Sequence, residues 1–151
     1  MEISAEPFVD FRSENGHYTA DACVVWCFDD RFYKLLKAFG KQEGWGHIDL
    51  VKVAGGAKAL AADDGAPSSD RDFVLDQIKK SAMLHGTKRV VLMLHRDCGG
   101  YGGSKQFAGS DAEKAFFTDQ LDRARRFVRR EFPGLAVEAV FADFDGLHRA
   151  A

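Results

Sequence analysis

The run Val90-Val91-Leu92-Met93-Leu94 constrains the fold more than any other segment. A strand with apolar residues on both faces must be covered on both sides, as a parallel strand between helical layers is. We read a strand over Arg89–Leu94, and the segments around it alternate in the same sense. Ala22–Cys27 is a short apolar run that reads as a buried strand, and Arg31–Glu43 carries Phe32, Leu35, Leu36 and Phe39 on one helical stripe that ends at Gly44 and Gly46. Ile48–Val53 is a second strand, followed by a loop over Ala54–Ser69 rich in Gly, Ala and Asp. Ser69 is expected to cap a helix running to about His85, with Leu75, Ile78 and Ala82 inward and Gly86 as its stop. Ser110 and Glu113 have capping-box spacing at the head of a long helix whose Phe117, Leu121, Ala124 and Val128 face inward, and Pro133-Gly134 ends it. Ala136–Ala142 is the last strand. The order βαβαβαβ predicts an α/β fold with a mainly parallel central β-sheet flanked by helices.

At 151 residues the chain is expected to form a single domain, residues 1–151, with an irregular amino-terminal segment over 1–20. Lys and Arg number 21 against 23 Asp and Glu, so no positive field marks a nucleic-acid or anionic-membrane partner. Arg123, Arg125, Arg126, Arg129 and Arg130 are interleaved with Asp119, Asp122 and Glu131 and read as a solvated helix face. Met1–Phe11 carries Glu2, Glu6 and Asp10 and lacks the basic start and apolar run of a secretory signal, and no apolar stretch nears the roughly 20 residues of a membrane span. The three cysteines are too few for a disulfide framework, which points to a reducing compartment, the cytoplasm, with thiols free or metal-bound.

The chemistry gathers at two strand ends. Cys27 closes the first strand and opens Cys27-Phe28-Asp29-Asp30-Arg31; His95 closes the third and opens His95-Arg96-Asp97-Cys98-Gly99. Ligands in open parallel sheets bind beyond the carboxyl ends of strands, so both clusters should share one edge. Two thiolates and one imidazole suit tetrahedral zinc and leave a fourth position for water or a carboxylate. Asp29 and Arg31 read either as a working pair at such a site or as an ion pair steadying the loop. Cys23 reads as a small packed residue. Gly99, Gly100, Gly102 and Gly103 serve a flexible turn or an anion cradle, and His47, His85 and His148 lack ligand spacing and read as surface residues.

CFDDR and HRDCG resemble the two signatures of the β-class carbonic anhydrases, and Asp49–Gly55, Phe73–His95 and Val137–Leu147 resemble further family segments. The resemblance runs from about residue 21 to 148. It implies a Zn2+ cofactor held by Cys27, His95 and Cys98, with Asp29 and Arg31 as the catalytic pair and Asp29 alternatively a fourth metal ligand. It also implies reversible hydration of CO2 to bicarbonate, and a homodimer or higher homo-oligomer. By this reading zinc acidifies a bound water to a pKa of about 7, Asp29 orients it and Arg31 keeps Asp29 ionised. The chain departs from the family at Asp30, where Ser is usual, and at Lys52 and Val53, where Arg and Asn are usual. Its stretch between Cys98 and the last strand is short, and a long amino-terminal helical arm is missing. Those departures keep two alternatives open: hydrolysis of another small electrophile, of the carbonyl sulfide or carbon disulfide type, or a non-catalytic zinc module for binding or sensing.

Overall fold

A computed structural model describes residues 1–62 and 65–150. Its strands are β1 (Ala22–Cys27), β2 (Ile48–Val53), β3 (Arg89–His95), β4 (Ala136–Asp143) and β5 (Gly146–Arg149), and its helices are α1 (Tyr33–Glu43), α2 (Lys58–Ala61), α3 (Ser69–His85) and α4 (Ser110–Glu131). The sheet order is β2-β1-β3-β4-β5, with β5 antiparallel and every other pairing parallel. All of β1, and β3 from Val90 onward, are buried because each has a strand on both sides and helices over its faces. The edge strand β2 is only partly covered. Helix α4 lies on β3 and β4 and meets α2, α3 reaches β2, and α1 reaches β5.

Phe117, Leu121, Ala124 and Val128 turn inward from α4 as expected and are completely buried. Arg123, Arg126, Arg129 and Arg130 of α4 are exposed as expected, whereas Arg125 is half-buried against the Ala150 carbonyl; Arg123 pairs with Asp119 at 2.8 Å, and Arg125 and Arg126 both pair with Asp122 at 3.2 Å. Among the described residues no helix is long and apolar enough to cross a membrane.

Several local expectations are corrected. The loop expected over Ala54–Ser69 contains α2, and residues 63–64 of it lie outside the described residues. The cap of α3 is Ser68, whose Oγ accepts the Arg71 N–H at 3.2 Å, so Ser69 is already helical. The buried stripe of α3 is Val74, Ile78 and Ser81, one position from the expected Leu75 and Ala82, because Ser81 bonds the buried Thr87 side chain at 2.5 Å. Arg31 stands in a short 3-10 turn, Asp30–Phe32, ahead of α1. The capping box of α4 does not form. Gly109 is the cap residue, Ser110 is the first helical residue, and Glu113 is drawn into a loop at the sheet edge. Finally β4 extends to Asp143, and the chain doubles back as β5.

One turn needs glycine. Gly56 follows β2 with φ +56°. A Cβ there would stand 2.4 Å from the Met93 carbonyl oxygen and 3.2 Å from the Cys27 nitrogen, so the turn lies directly on β1 and β3.

Candidate metal centre

From β1 the chain turns one way to β2, and β3 lies on the other side of β1, so β1 and β3 flank the point where the winding reverses. That crevice is where open α/β sheets bind ligands. Cys27 ends β1, His95 ends β3, and Cys98 follows one turn later. The structure brings these three buried side chains together, with one ligand atom from each lying within 4.8 Å of the others.

The local geometry suits a cation. His95 Nδ1 donates to the Arg96 carbonyl at 2.8 Å, which fixes the tautomer and leaves Nε2 as the acceptor. Nε2 is buried and has no hydrogen-bond partner among the described residues. A buried acceptor without a partner is costly, and a metal ion would satisfy it. A hydrogen bond from the Cys98 thiol, with His95 alongside, holds the Cys27 thiol well below the ordinary thiol range. The same hydrogen bond, with burial, pushes Cys98 up. A divalent cation would replace that shared proton, and the donor set of two sulfurs and one imidazole nitrogen fits zinc.

Asp29 and Arg31 stand beside the cluster. Arg31 grips the Asp29 carboxylate through Nε at 3.0 and 3.2 Å and Nη2 at 2.7 Å. The Arg31 backbone N–H adds a further bond to Oδ1 at 3.0 Å. Arg31 therefore holds the Asp29 carboxyl below the usual carboxylate range. Asp29 Oδ2 lies 4.0 Å from His95 Nε2 and is engaged by arginine. Asp30 is exposed, and its side chain is not among Arg31's partners. Phe32 packs its ring on His95 at 4.6 Å and on Phe144 at 5.6 Å.

Three further groups at this edge, Arg96, Asp97 and Ser104, carry no sign of their role in the sequence, and a fourth, Glu113, has only the spacing of a cap. Asp97 is the one non-glycine with positive φ, +56°, among the described residues. Its carboxylate takes the Ser104 N–H at 2.9 Å and Arg31 Nη1 at 3.1 Å, so Arg31 ties together the loops that follow β1 and β3. Nothing in the spacing of Arg31 and Asp97 announces this contact; only the adjacency of β1 and β3 makes it.

The glycine-rich stretch packs closely rather than hanging free. A Cβ on Gly100 would meet Gly55 Cα at 3.0 Å and Cys98 Sγ at 3.5 Å. Beyond Gly100 a cleft of about 540 Å³ opens between β2 and α3, bordered by Val53, Ala54, Lys58 and Phe73. Cys23 is buried against Ser81, and burial pushes its thiol up to about 12, in keeping with a packing role. Three other histidines stay apart from the cluster, each near a carboxylate: His85 with Asp49 at 2.8 Å, His148 with Asp145 at 2.9 Å and His47 with Glu14 at 3.8 Å. His47 is exposed, and His85 and His148 are half-buried.

Known proteins share this arrangement of chain. A crystal structure of β-carbonic anhydrase isoform I from Trichomonas vaginalis superposes with a TM-score of 0.59 at 14% identity, covering 93% of this chain and 87% of that one. Tetrameric β-carbonic anhydrases from Sordaria macrospora give 0.56 at 15% identity, covering 89% and 81%. An apo carbon disulfide hydrolase gives 0.55 at 14% identity, covering 88% and 80%. At these identities the likeness shows the fold, a mainly parallel α/β sheet of the β-carbonic anhydrase type. An uncharacterized protein of Rickettsia conorii is 29% identical over 133 residues, 83% of this chain and 67% of that protein. Residues 18–147 match the family described as "Putative carbonic anhydrase", and with most of the chain spanned by that match, the chain belongs to this family.

Proposed function

We propose that the chain is a zinc-dependent carbonic anhydrase that interconverts CO2 and water with bicarbonate and a proton. Cys27, His95 and Cys98 would hold the ion. When bound, zinc supplies a water acidified to a pKa of about 7 and therefore nucleophilic near neutral pH.

The observation that carries the reading is the position of Asp29: its Oδ2 stands 4.0 Å from the unpartnered His95 Nε2 while Arg31 retains it. Three protein donors with a carboxylate beside them, held off by arginine, is the arrangement of an open catalytic site; a structural site is closed by a fourth residue. Asp29 is ionised and accepts hydrogen bonds only, so Oδ2 would accept the hydrogen bond of a water beside it and turn a lone pair of that water toward the substrate carbon. Arg31 prevents Asp29 from rotating onto the donors and keeps it charged. Phe32, packed at a tilt on His95, excludes water from one side of the imidazole.

Two features extend the proposal. Phe28, Phe73 and Phe144 are all more than half exposed, and exposed aromatic rings of this kind support a homodimer or higher homo-oligomer that would cover them. The likeness to a carbon disulfide hydrolase supports a second reading, in which the same residues act on another small electrophile.

The test is stopped-flow CO2 hydration on protein of measured zinc content, with Cys98→Ser and Asp29→Ala. The expected result is one zinc per chain, activity abolished with the metal in Cys98→Ser, and activity lost with metal retained in Asp29→Ala. Zinc without CO2 hydration, together with turnover of carbon disulfide or carbonyl sulfide, would move the assignment to the second reading. Zinc without either activity would leave a binding module, and a chain that takes up no zinc refutes all three.

A further inference from the structure

We infer that Glu113, buried in the first turn of α4, is a positioning residue for the His95 ligand; the inference rests on the metal reading above. The link runs through one peptide unit. The carbonyl of the Arg96–Asp97 peptide accepts His95 Nδ1 at 2.8 Å, and the N–H of that same peptide donates to Glu113 Oε1 at 2.7 Å. A peptide is planar, so fixing its N–H fixes its carbonyl. Glu113 thereby sets the direction in which the imidazole donates, hence the tautomer and the aim of Nε2. The peptide needs an outside hold because Asp97 has φ +56°, a conformation that non-glycine residues adopt at a cost.

The rest of the cluster serves that carboxylate. Glu113 is 2% exposed, so its charge must be compensated. Arg96 Nη1 bonds Oε2 at 3.1 Å, and Ser104 Oγ donates to the two oxygens at 3.0 and 2.9 Å. Arg96 is itself clamped by Asp143 through two bonds of 2.6 and 2.7 Å. Asp143 ends β4 and Ser104 follows the cysteine ligand, so Glu113 couples the metal loop to α4 and to the neighbouring strand. Hydrogen bonding around ligating histidines usually changes metal affinity by about 10- to 100-fold.

The experiment compares Glu113→Gln and Glu113→Ala with the unaltered protein and with Glu43→Gln. Glu43 carries two arginine contacts, at 3.2 and 3.1 Å, away from the metal loop. Zinc affinity is read by chelator competition, ligand geometry from the absorption bands of the Co2+-substituted protein, and folding from the thermal midpoint of the metal-free form. Glu113→Ala should weaken zinc by about tenfold or more and shift the cobalt bands. Glu113→Gln, which keeps an oxygen for the Asp97 N–H, should fall in between and measures the effect if the alanine variant does not fold. Glu43→Gln should lose stability with affinity and bands unchanged. Wild-type affinity and cobalt bands in Glu113→Gln and in every folded Glu113→Ala preparation would overturn the inference while leaving the metal reading intact. No zinc uptake by the unaltered protein would overturn both, and zinc uptake without CO2 hydration would leave the role of Glu113 to be decided by these metal readouts alone.

Discussion

Replacing Gly56 with alanine tests the packing of the turn against the central strands. Two costs arise there. The left-handed φ of +56° disfavours any side chain by about 1–2 kcal/mol. In addition, the new Cβ would stand 2.4 Å from the Met93 carbonyl oxygen, which already accepts the Ala57 N–H at 3.0 Å and so cannot swing away without breaking a bond. Overpacking of this kind costs a further 1–3 kcal/mol or so. Gly44 separates the two contributions, because it has φ +71° and nothing within 4 Å of a built Cβ. Gly44→Ala should show the conformational cost alone, and Gly56→Ala should exceed it by about 1–3 kcal/mol, seen in urea titrations and as roughly 2–4 °C of thermal midpoint per kcal/mol. Gly99→Ala, with neither a positive φ nor a neighbour within 4 Å, should be neutral or slightly stabilising. If Gly56→Ala loses no more than Gly44→Ala, the claim that this turn rests on β1 and β3 is wrong.

Three other outcomes are expected. Asp21 accepts the Gly46 and His47 N–H groups at 2.8 and 3.0 Å, which lowers its pKa; the resulting stability is present above the ordinary carboxylate value and lost as pH falls through the lower folded value. Asp21→Asn should therefore be less stable than the parent at pH 7 and lose less on acidification, a difference that denaturant titrations at pH 7 and pH 3 will show. Cys23, buried and with its thiol pushed up to about 12, should resist iodoacetamide in the folded protein and react once urea unfolds it, as peptide mass spectrometry can follow. Arg31→Lys should keep zinc but slow CO2 hydration by about tenfold, since a single ammonium cannot span Asp29 and Asp97 and one lost charge-assisted bond is worth roughly 1.5 kcal/mol; unchanged turnover at equal zinc content would remove Arg31 from the working site.

Apolar run length made β1 legible to the residue and β3 to within one residue, because burial from both sides leaves no polar position to blur a boundary, whereas the half-covered edge strand β2 was bounded by the glycines on either side of it. The elements that escaped are those whose cause lies elsewhere in the chain. Helix α2 has four residues, too few for a period, and β5 reads Gly-Leu-His-Arg, a strand only because β4 offers it an open edge. The three sulfur and nitrogen donors were readable because each closes or follows a strand. Glu113 was misread for the opposite reason: its spacing from Ser110 is that of a cap, yet Arg96 and the Asp97 N–H compete for the same carboxylate and win.

The pairing of β1 with β3 also bears on how the centre comes into being. Cys23 faces Val90 and Val25 faces Leu92, partners separated along the chain by α1, β2, α2 and α3. Contacts that distant are slow to form, since the entropy of closing the intervening chain is lost before they reward it. Cys27 thus meets His95 and Cys98 only after the middle of the sheet has been laid down. Unlike a zinc finger, which folds around its ion, this chain holds its ligand loops with Arg31, Asp97 and Glu113 and would take up metal as a late event, into a frame the polypeptide has already built.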